Sequence, residues 1–150
     1  MNIKMEMVPD TYQVEDDFPF CFSKITIHEK NQPEVFWETA MTALDYWTVG
    51  DYERQWREGL ERIKTHATSC LVASVQDPKL APLINWWPLY KEGNEVFIYN
   101  ELIVGESYER RIGQGHFTPK TCYDFIQPRV LPEDDEEDGY EVSVWVIDLE

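Results

Sequence analysis

Six consecutive carboxylates at positions 133–138 are the residues of this 150-residue chain best suited to chemistry at its surface. The run consists of Glu133, Asp134, Asp135, Glu136, Glu137 and Asp138. Residues 130–150 contain no Lys or Arg and carry nine of the sixteen net negative charges. Because a block of like charge repels itself and stays solvated, the run projects a negative field. That field suits a basic protein partner and disfavours DNA, RNA and anionic membranes.

Other chemistries of carboxylates and glycines need spacings that this sequence lacks. A calcium loop needs carboxylates at alternating positions with an internal glycine, whereas Gly139 follows the acidic run. Gly113 and Gly115 have the composition of an anion-binding nest, but no strand leads directly into them and the surrounding negative charge repels phosphate. The sequence therefore predicts no dedicated metal site, no phosphate site and no cofactor.

The three histidines, His28, His66 and His116, are far apart in the sequence and form no metal-binding or catalytic pair. His66 follows the predicted long helix, where an imidazolium satisfies terminal carbonyl groups. The three cysteines are also widely spaced and form no Cys-x-x-Cys motif, which indicates buried free thiols in a reducing compartment. We interpret both residue types as structural or solvated and expect no enzyme activity.

The composition is that of a globular domain in spite of a net charge of -16. Aromatic residues make up 14% of the chain, and disordered acidic proteins lack such residues. A chain of this size buries about 70% of its unfolded surface and needs neither a disulfide nor a metal to fold. The N-terminus has no signal-peptide pattern, and no segment has the ~18 apolar residues of a membrane span, so we expect a cytoplasmic protein.

Helix signals are clearest after Leu44. Thr48 and Asp51 have the spacing of a capping box, in which each side chain accepts a hydrogen bond from the other residue's backbone. An apolar stripe follows at helical spacing, formed by Tyr52, Trp56, Leu60 and Ile63. This pattern predicts a helix from Asp51 to Lys64.

A shorter second helix is predicted from Thr118 to about Ile126, because Thr118 suits the N-cap and Pro119 the first helical position. Strands are predicted at 20–28, 35–43, 69–75, 83–90, 96–104 and 140–149. Pro88 predicts an edge position or a bulge for its strand. Since the strands are joined mostly by short turns, we expect a single α+β domain, with a mostly antiparallel sheet of about six strands and two helices packed on it.

Two predicted strands carry aromatic residues whose position depends on the fold. Trp37, Thr39 and Met41 share one face if residues 35–43 form a strand, although this segment also tolerates a helix. Trp86 and Trp87 are adjacent and must face opposite sides of their strand. One of these two is expected outside the core unless a helix covers it, and an exposed Trp is a candidate interface anchor.

The first eighteen residues are polar and acidic. We expect residues 1–18 to be loosely ordered and residues 19–150 to form the folded domain. Asp16 and Asp17, at the boundary, add to the negative field. The predicted partner-binding residues are therefore this aspartate pair and the acidic run, residues 133–138.

Scattered residues between Leu44 and Asn100, and a looser set near the C-terminus, resemble a known family. The matching positions are Leu44, Tyr46, Trp47, Asp51, Tyr52, Trp56, Leu60, Thr65, His66, Ser74, Val75, Asp77, Pro78, Trp87, Pro88, Leu89, Tyr90, Tyr99 and Asn100, and then Ser143, Trp145, Asp148 and Leu149. They resemble the immunity proteins of bacterial contact-dependent growth inhibition (CDI) systems. Within these, they are most similar to the group that neutralises ribosomal RNA-cleaving toxins related to colicin nuclease domains.

The resemblance implies an antiparallel sheet with helices, compared in this group to the Whirly single-stranded-DNA-binding fold but without that activity. It also implies tight one-to-one binding of a toxin domain and no catalysis. Nuclease toxins are basic because they hold polyphosphate, so an acidic inhibitor suits the same cleft. Two alternatives remain open: an acidic adaptor or nucleic-acid mimic for another basic protein, and a small hydrolase that uses carboxylates and one histidine.

Overall fold

The computed structural model describes residues 1–129 and 143–149, and within these ranges it contains two antiparallel sheets and two helices. The strands are β1 (Ile3–Met7), β2 (Gln13–Glu15), β3 (Phe18–Ile27), β4 (Phe36–Ala43), β5 (Thr68–Val75), β6 (Leu83–Glu92), β7 (Glu95–Tyr99), β8 (Glu101–Val104) and β9 (Val144–Asp148). The helices are α1 (Val49–Arg62) and α2 (Gly105–Arg111), and Cys122–Phe125 forms a 3-10 turn. The α+β class with antiparallel strands and two helices is confirmed, and the strands divide between two sheets.

In the first sheet, sheet A, strand β3 is central, with β1 and β2 on one side and β4 on the other. In the second, sheet B, the order is β5-β6-β7-β9, and β8 pairs with β6. Strands β7 and β8 keep one register along β6, since Leu89 pairs with Ile98 and Trp86 with Glu101. The predicted strand 96–104 is therefore present, with an interruption at Asn100.

Pro88 predicted an edge position or a bulge, and the edge position is wrong, because β6 pairs with β5 on one side and with β7 and β8 on the other. The ladder between β5 and β6 does contain an irregularity, between Val72 and Ser74, opposite Trp86 and Asn85. Pro88 is opposite Cys70 of β5. On its other side it falls between the two paired stretches, where no ladder pair forms. A proline, which has no N–H to donate, is tolerated inside this sheet because the ladder is already interrupted there.

Residues 1–18, expected to be loosely ordered, contain two strands instead. Strand β1 pairs with β3 from Ile3 opposite Ile27 to Met7 opposite Ser23. Ile3 and Met5 are buried, while Lys4 and Glu6 alternate with them on the other face. The apolar residues of this segment therefore have strand periodicity, which its acidic composition concealed.

The helix predicted at 118–126 is also wrong, although its first signal is correct. Thr118 Oγ1 accepts a hydrogen bond from the backbone N–H of Thr121 at 3.1 Å, as an N-cap does. The segment then forms only a four-residue 3-10 turn, with buried Cys122 at its start. Helix α2 was not predicted, because Val104 at its N-cap makes no side-chain capping bond and its seven residues bury one side chain, that of Tyr108.

Helix α1 confirms the predicted helix, and both hydrogen bonds of the capping box between Thr48 and Asp51 are present. It packs along the edge of β5 that does not pair with β6. Gln55 Nε2 donates to the carbonyl oxygen of Cys70 at 2.8 Å, and Gln55 Oε1 accepts from the N–H of Val72 at 2.8 Å. The unpaired backbone groups of an open edge strand can pair with another chain, and here side chains of α1 form hydrogen bonds with those groups of β5.

Two further contacts join sheet A to sheet B beside this helix. Thr42 Oγ1 of β4 donates to the carbonyl oxygen of Ala73 at 2.8 Å, and the N–H of Ala43 donates to Ser74 Oγ at 3.0 Å. Tyr52 of α1 donates from Oη to the carbonyl oxygen of Ala43 at 2.6 Å. These bonds hold β4 next to β5 and thereby set the position of sheet A against sheet B.

We predict that the protein loses stability at alkaline pH because several of its tyrosines are buried. Burial raises the pKa of Tyr52 and Tyr123 and raises that of Tyr90 to about 12. An unfolded tyrosine titrates near pH 10, so above about pH 10 the unfolded chain loses protons that the folded chain keeps. The stability present below this pH should therefore fall as pH rises, by up to about 1.4 kcal/mol per pH unit for Tyr52.

Urea titrations at about pH 8 and about pH 11 measure this loss. A Tyr52→Phe variant is less stable at neutral pH because it loses the bond to Ala43. Its stability should nevertheless fall less between the two pH values, since one shifted group is gone. An equal decline in both proteins would contradict this account.

Candidate functional site

Trp86 and Trp87 are both buried, so the prediction that one of them is exposed is wrong. Trp86 packs edge-on against Phe117, and its Nε1 donates to Glu101 Oε1 at 2.9 Å. Trp87 lies on the opposite side of the sheet, against Phe36 and Trp145. The covering residues come from β4, β9 and the segment after α2, whose positions depend on tertiary contacts.

The exposed tryptophan is instead Trp37 of β4, with 60% of its surface exposed. Met41 is on the same face of the strand and is 42% exposed. The Nζ of Lys24, on neighbouring β3, lies 4.9 Å from the centre of the Trp37 ring. The sequence pattern placed Trp37 and Met41 on one face, but did not show that this face points away from the core.

These residues belong to the face of sheet A that points away from Ser23, Ile25 and Ile27 of β3, and we call it the outer face of sheet A. Its members in strand register are Lys4 and Glu6 of β1, Phe18, Phe20, Phe22, Lys24 and Thr26 of β3, and Trp37, Thr39, Met41 and Ala43 of β4. Phe20 and Ala43, which are opposite each other, are buried, whereas Trp37 and Met41 are exposed. The opposite face of β3 presents buried Ser23, Ile25 and Ile27. The outer face therefore combines exposed apolar side chains with charged ones.

Asp16 and Asp17 form the turn between β2 and β3, at the end of β3. Their φ angles are 50° and 64°, and positive φ at both central residues is the geometry of a two-residue type I′ hairpin turn. Both residues are exposed. Among the described residues neither has an ion-pair partner, so both carboxylates are free to attract a basic partner.

The other predicted site residues, Glu133 to Asp138, lie outside the described residues. The described chain before them ends at Arg129, whose Nε donates to Tyr99 Oη at 2.9 Å. The described chain after them enters β9 at Val144, which pairs with the same Tyr99. The flanks of the acidic run are thus attached to sheet B, whereas Asp16 and Asp17 belong to sheet A.

The described surface is acidic even without the run. All 13 Lys and Arg residues lie in the described ranges, whereas eight of the 29 Asp and Glu residues lie at 130–142 and 150. The remaining 21 carboxylates exceed the 13 basic residues by eight, so the described part has a net charge of about -8 at neutral pH. Half of the total charge is therefore carried by the described residues.

The histidines and cysteines form no visible reaction centre. His28, His66 and His116 are all exposed, and His66 Nδ1 lies 3.3 Å from a terminal carbonyl oxygen of α1, as expected from its position after the helix. The three cysteines are buried free thiols, and burial raises the pKa of Cys70. In the part of the chain that the structure describes, no three His, Cys, Asp or Glu side chains are grouped to hold a metal ion.

Among the described residues, no helix is long and apolar enough to cross a membrane.

The comparison with known proteins identifies the family of this chain. The family model of the CdiI N-terminal domain matches residues 42–150. The chain belongs to this family. A relative from Enterobacter cloacae subsp. cloacae, named immunity protein CdiI, is 30% identical over 107 residues, which are 71% of this chain and 68% of the relative. The resemblance to CDI immunity proteins is thereby confirmed.

A solved structure has a fold similar to that of this chain. A chain of the CdiA-CT/CdiI toxin and immunity complex from Enterobacter cloacae has a TM-score of 0.71 and 23% sequence identity, and the match covers 99% of this chain and 91% of that chain. The similarity therefore includes β1 to β3, which precede the residues matched by the family model.

Proposed function

We propose that this CdiI-family protein binds a CDI toxin domain in the cytoplasm and neutralises it by blocking its active site or substrate cleft. The match to the CdiI family over residues 42–150 carries this proposal. It is supported by the toxin and immunity complex in which the similar fold was solved. The protein performs no reaction itself and acts by occupying the toxin.

We further propose that the toxin is a nuclease. A nuclease cleft is basic because it holds polyphosphate, and this chain has a net charge of -16. An acidic inhibitor excludes RNA from such a cleft both by its bulk and by its charge. Opposite charges also accelerate association, to about 10⁸–10⁹ M⁻¹s⁻¹ at low salt, which matters because each free nuclease molecule turns over many substrates.

A cleavage assay tests the function directly. The C-terminal domain of the cognate CdiA toxin is incubated with ribosomes or RNA, with and without an equimolar amount of this protein. We expect cleavage without it and complete protection with it, together with a one-to-one complex by size exclusion. The CdiI relative from Enterobacter cloacae is the matched control and should protect less, since at 30% identity most of its residues differ from those of this chain. Unchanged cleavage in the presence of this chain would contradict the proposal.

We propose that the acidic run and the turn at Asp16 and Asp17 contact the basic surface of the toxin. Replacing Asp134 and Asp135 by Asn, and Glu136 and Glu137 by Gln, should slow association about tenfold at low salt. It should also flatten the salt dependence of the association rate, because fewer screened charges steer the encounter. Stopped-flow mixing at several salt concentrations measures both effects.

A second quadruple variant separates local from overall charge. Glu53, Glu58, Glu61 and Glu109 are exposed carboxylates on α1 and α2, and changing them to Gln removes the same four charges. We expect this variant to associate at nearly the wild-type rate. Equal rates for the wild type and the acidic-run variant would remove residues 134–137 from the proposed site.

Solvated carboxylates alone do not account for a tight complex. Neutralisation at low copy number needs nanomolar affinity or better, which corresponds to about 12 kcal/mol. Exposed charge pairs contribute little to this, whereas buried aromatic side chains dominate interface energies. The complex therefore needs an apolar anchor in addition to the acidic residues.

A further inference from the structure

The outer face of sheet A has the composition of an interface centre. Trp37 is 60% exposed and Met41 is 42% exposed, and both point outward from the same strand. Trp and Met are enriched in the cores of protein interfaces, and Trp is among the commonest residues at which binding energy concentrates. A tryptophan this exposed on an outward sheet face leaves apolar surface in water, which association with a partner removes.

The Trp37 side chain is also held in place before binding. The Lys24 ammonium lies 4.9 Å from its ring centre, and Trp37 pairs in the ladder with Thr26 of the central strand. An aromatic side chain on a sheet, with a cation over its ring, loses little conformational freedom when it is buried. This face therefore offers an ordered anchor.

The charges around this anchor identify the chemistry of the partner. Glu15, Asp16 and Asp17 lie at the hairpin end of this face, where Glu15 is opposite Phe18, and within the described ranges none of them forms an ion pair. Lys4 pairs with Glu6 at 2.7 Å, so Lys24 is the one cation of this face that no carboxylate neutralises in the described ranges, against these three carboxylates. The uncompensated charge at the rim is thus negative and complements a basic protein.

We propose that the outer face of sheet A is the surface on which this chain anchors its toxin domain, with Trp37 and Met41 entering an apolar pocket of the toxin and basic residues of the toxin facing the carboxylates at the turn. This inference rests on the proposed function and adds to it the place where the apolar binding energy arises. Asp16 and Asp17 precede β3 at its Phe18 end, whereas Trp37 is opposite Thr26 near the other end of β3 and Met41 is opposite Phe22 between them. The anchor and the carboxylates at the turn therefore lie at different ends of one face.

Three variants test the anchor. Trp37→Ala removes the exposed ring, and Thr39→Arg places a bulky cation between Trp37 and Met41 on the same face. Leu102→Ala is the matched control, since Leu102 is 58% exposed on β8 of sheet B, away from this face. Thermal melting followed by circular dichroism first shows which variants are folded. If Trp37→Ala does not fold, Thr39→Arg alone tests the proposal.

Isothermal titration with the purified CdiA C-terminal domain then measures affinity. We expect Trp37→Ala and Thr39→Arg to bind at least about thirtyfold more weakly than the wild type, and Leu102→Ala to stay within about threefold. If folded Trp37→Ala and Thr39→Arg bind like the wild type, the anchor proposal is wrong while the proposed function stands. If the wild type itself does not bind the toxin domain, both are wrong.

Analytical ultracentrifugation of the free protein tests whether a second copy of this chain, and not the toxin, covers the outer face of sheet A. We expect the free wild type to be monomeric, with the outer face of sheet A available to the toxin. A wild-type dimer that Trp37→Ala converts to a monomer with full toxin affinity would assign the face to self-association and overturn the proposal.

Discussion

Replacing Gly59 by Ala is expected to destabilise the protein by about 3 kcal/mol. A Cβ at position 59 would lie 2.3 Å from the carbonyl oxygen of Cys70, a backbone atom of β5 that cannot rotate away. Helix α1 would have to move off the strand. That movement would weaken the bonds from Gln55 to Cys70 and Val72, which depend on this close approach. The gain in helix propensity, about 1 kcal/mol, offsets only part of the loss.

The same substitution elsewhere in α1 supplies the control for this prediction. A Cβ at Gly50 would meet nothing closer than Thr48 Oγ1 at 3.8 Å. We therefore expect Gly50→Ala to be neutral or to stabilise the protein by up to about 1 kcal/mol. Urea unfolding followed by tryptophan fluorescence measures both variants. Equal stability of the Gly50 and Gly59 variants would show that α1 does not need this close contact.

Replacing Gln55 by Ala is expected to destabilise the protein by a similar amount, about 3 kcal/mol. The substitution leaves the N–H of Val72 and the carbonyl oxygen of Cys70 without the partners that Gln55 supplies at 2.8 Å each. Both residues are fully buried, so water does not replace the lost bonds. Each buried backbone group that loses its partner costs about 1–3 kcal/mol. An exposed residue of the same helix, Glu53, should tolerate Ala within about 0.5 kcal/mol.

A Gln55→Glu variant gives this prediction a pH signature. The introduced carboxylate can still accept from Val72, but its second oxygen faces the carbonyl oxygen of Cys70, which only accepts. Protonation restores a donor, so we expect the folded state to raise the pKa of the introduced carboxyl. Stability present at low pH should then be lost as pH rises above about 4.3, the value for an unfolded Glu. Thermal melting at about pH 4.5 and about pH 7.5, relative to the wild type, measures the difference. A pH-independent difference would contradict the role assigned to Gln55.

These variants affect folding and should leave the proposed interface unchanged. Gly59 and Gln55 are buried between α1 and β5, whereas the outer face of sheet A points to solvent. Variants that remain folded at low temperature should therefore bind the toxin domain with nearly wild-type affinity. The Trp37→Ala variant should show the reverse pattern, with normal stability and weak binding.

Local signals predicted the parts of the fold that local interactions form. Thr48 and Asp51 are three residues apart and satisfy each other's backbone groups, so the start of α1 was readable without any tertiary information. The strands near 20–28, 69–75 and 83–90 were readable for the same reason, because alternation and turn residues act over a few positions. Strand β9 confirms the described part of the segment predicted at 140–149.

The errors concern residues whose environment comes from distant segments. Trp86 and Trp87 are both buried because Phe117, Phe36 and Trp145 cover them from elsewhere in the chain. Gln55 was not singled out from the sequence, and it is buried because α1 lies against a strand edge. No local pattern encodes which polar side chain will meet unpaired backbone groups.

The sequence by itself determined the acidic character of this protein, its α+β class and the presence of α1, which begins and ends two residues earlier than predicted. These properties follow from composition and from short-range periodicity, whereas the family was indicated by the resemblance of scattered residues to CDI immunity proteins. Only the tertiary structure showed that β1 pairs with β3 in sheet A and that Gln55 and Gly59 hold α1 close to β5. It also showed that Trp37, and neither Trp86 nor Trp87, is exposed to solvent. Whether a tryptophan side chain is buried or exposed depends on which distant segments cover it, and these segments reach it only when the two sheets pack together.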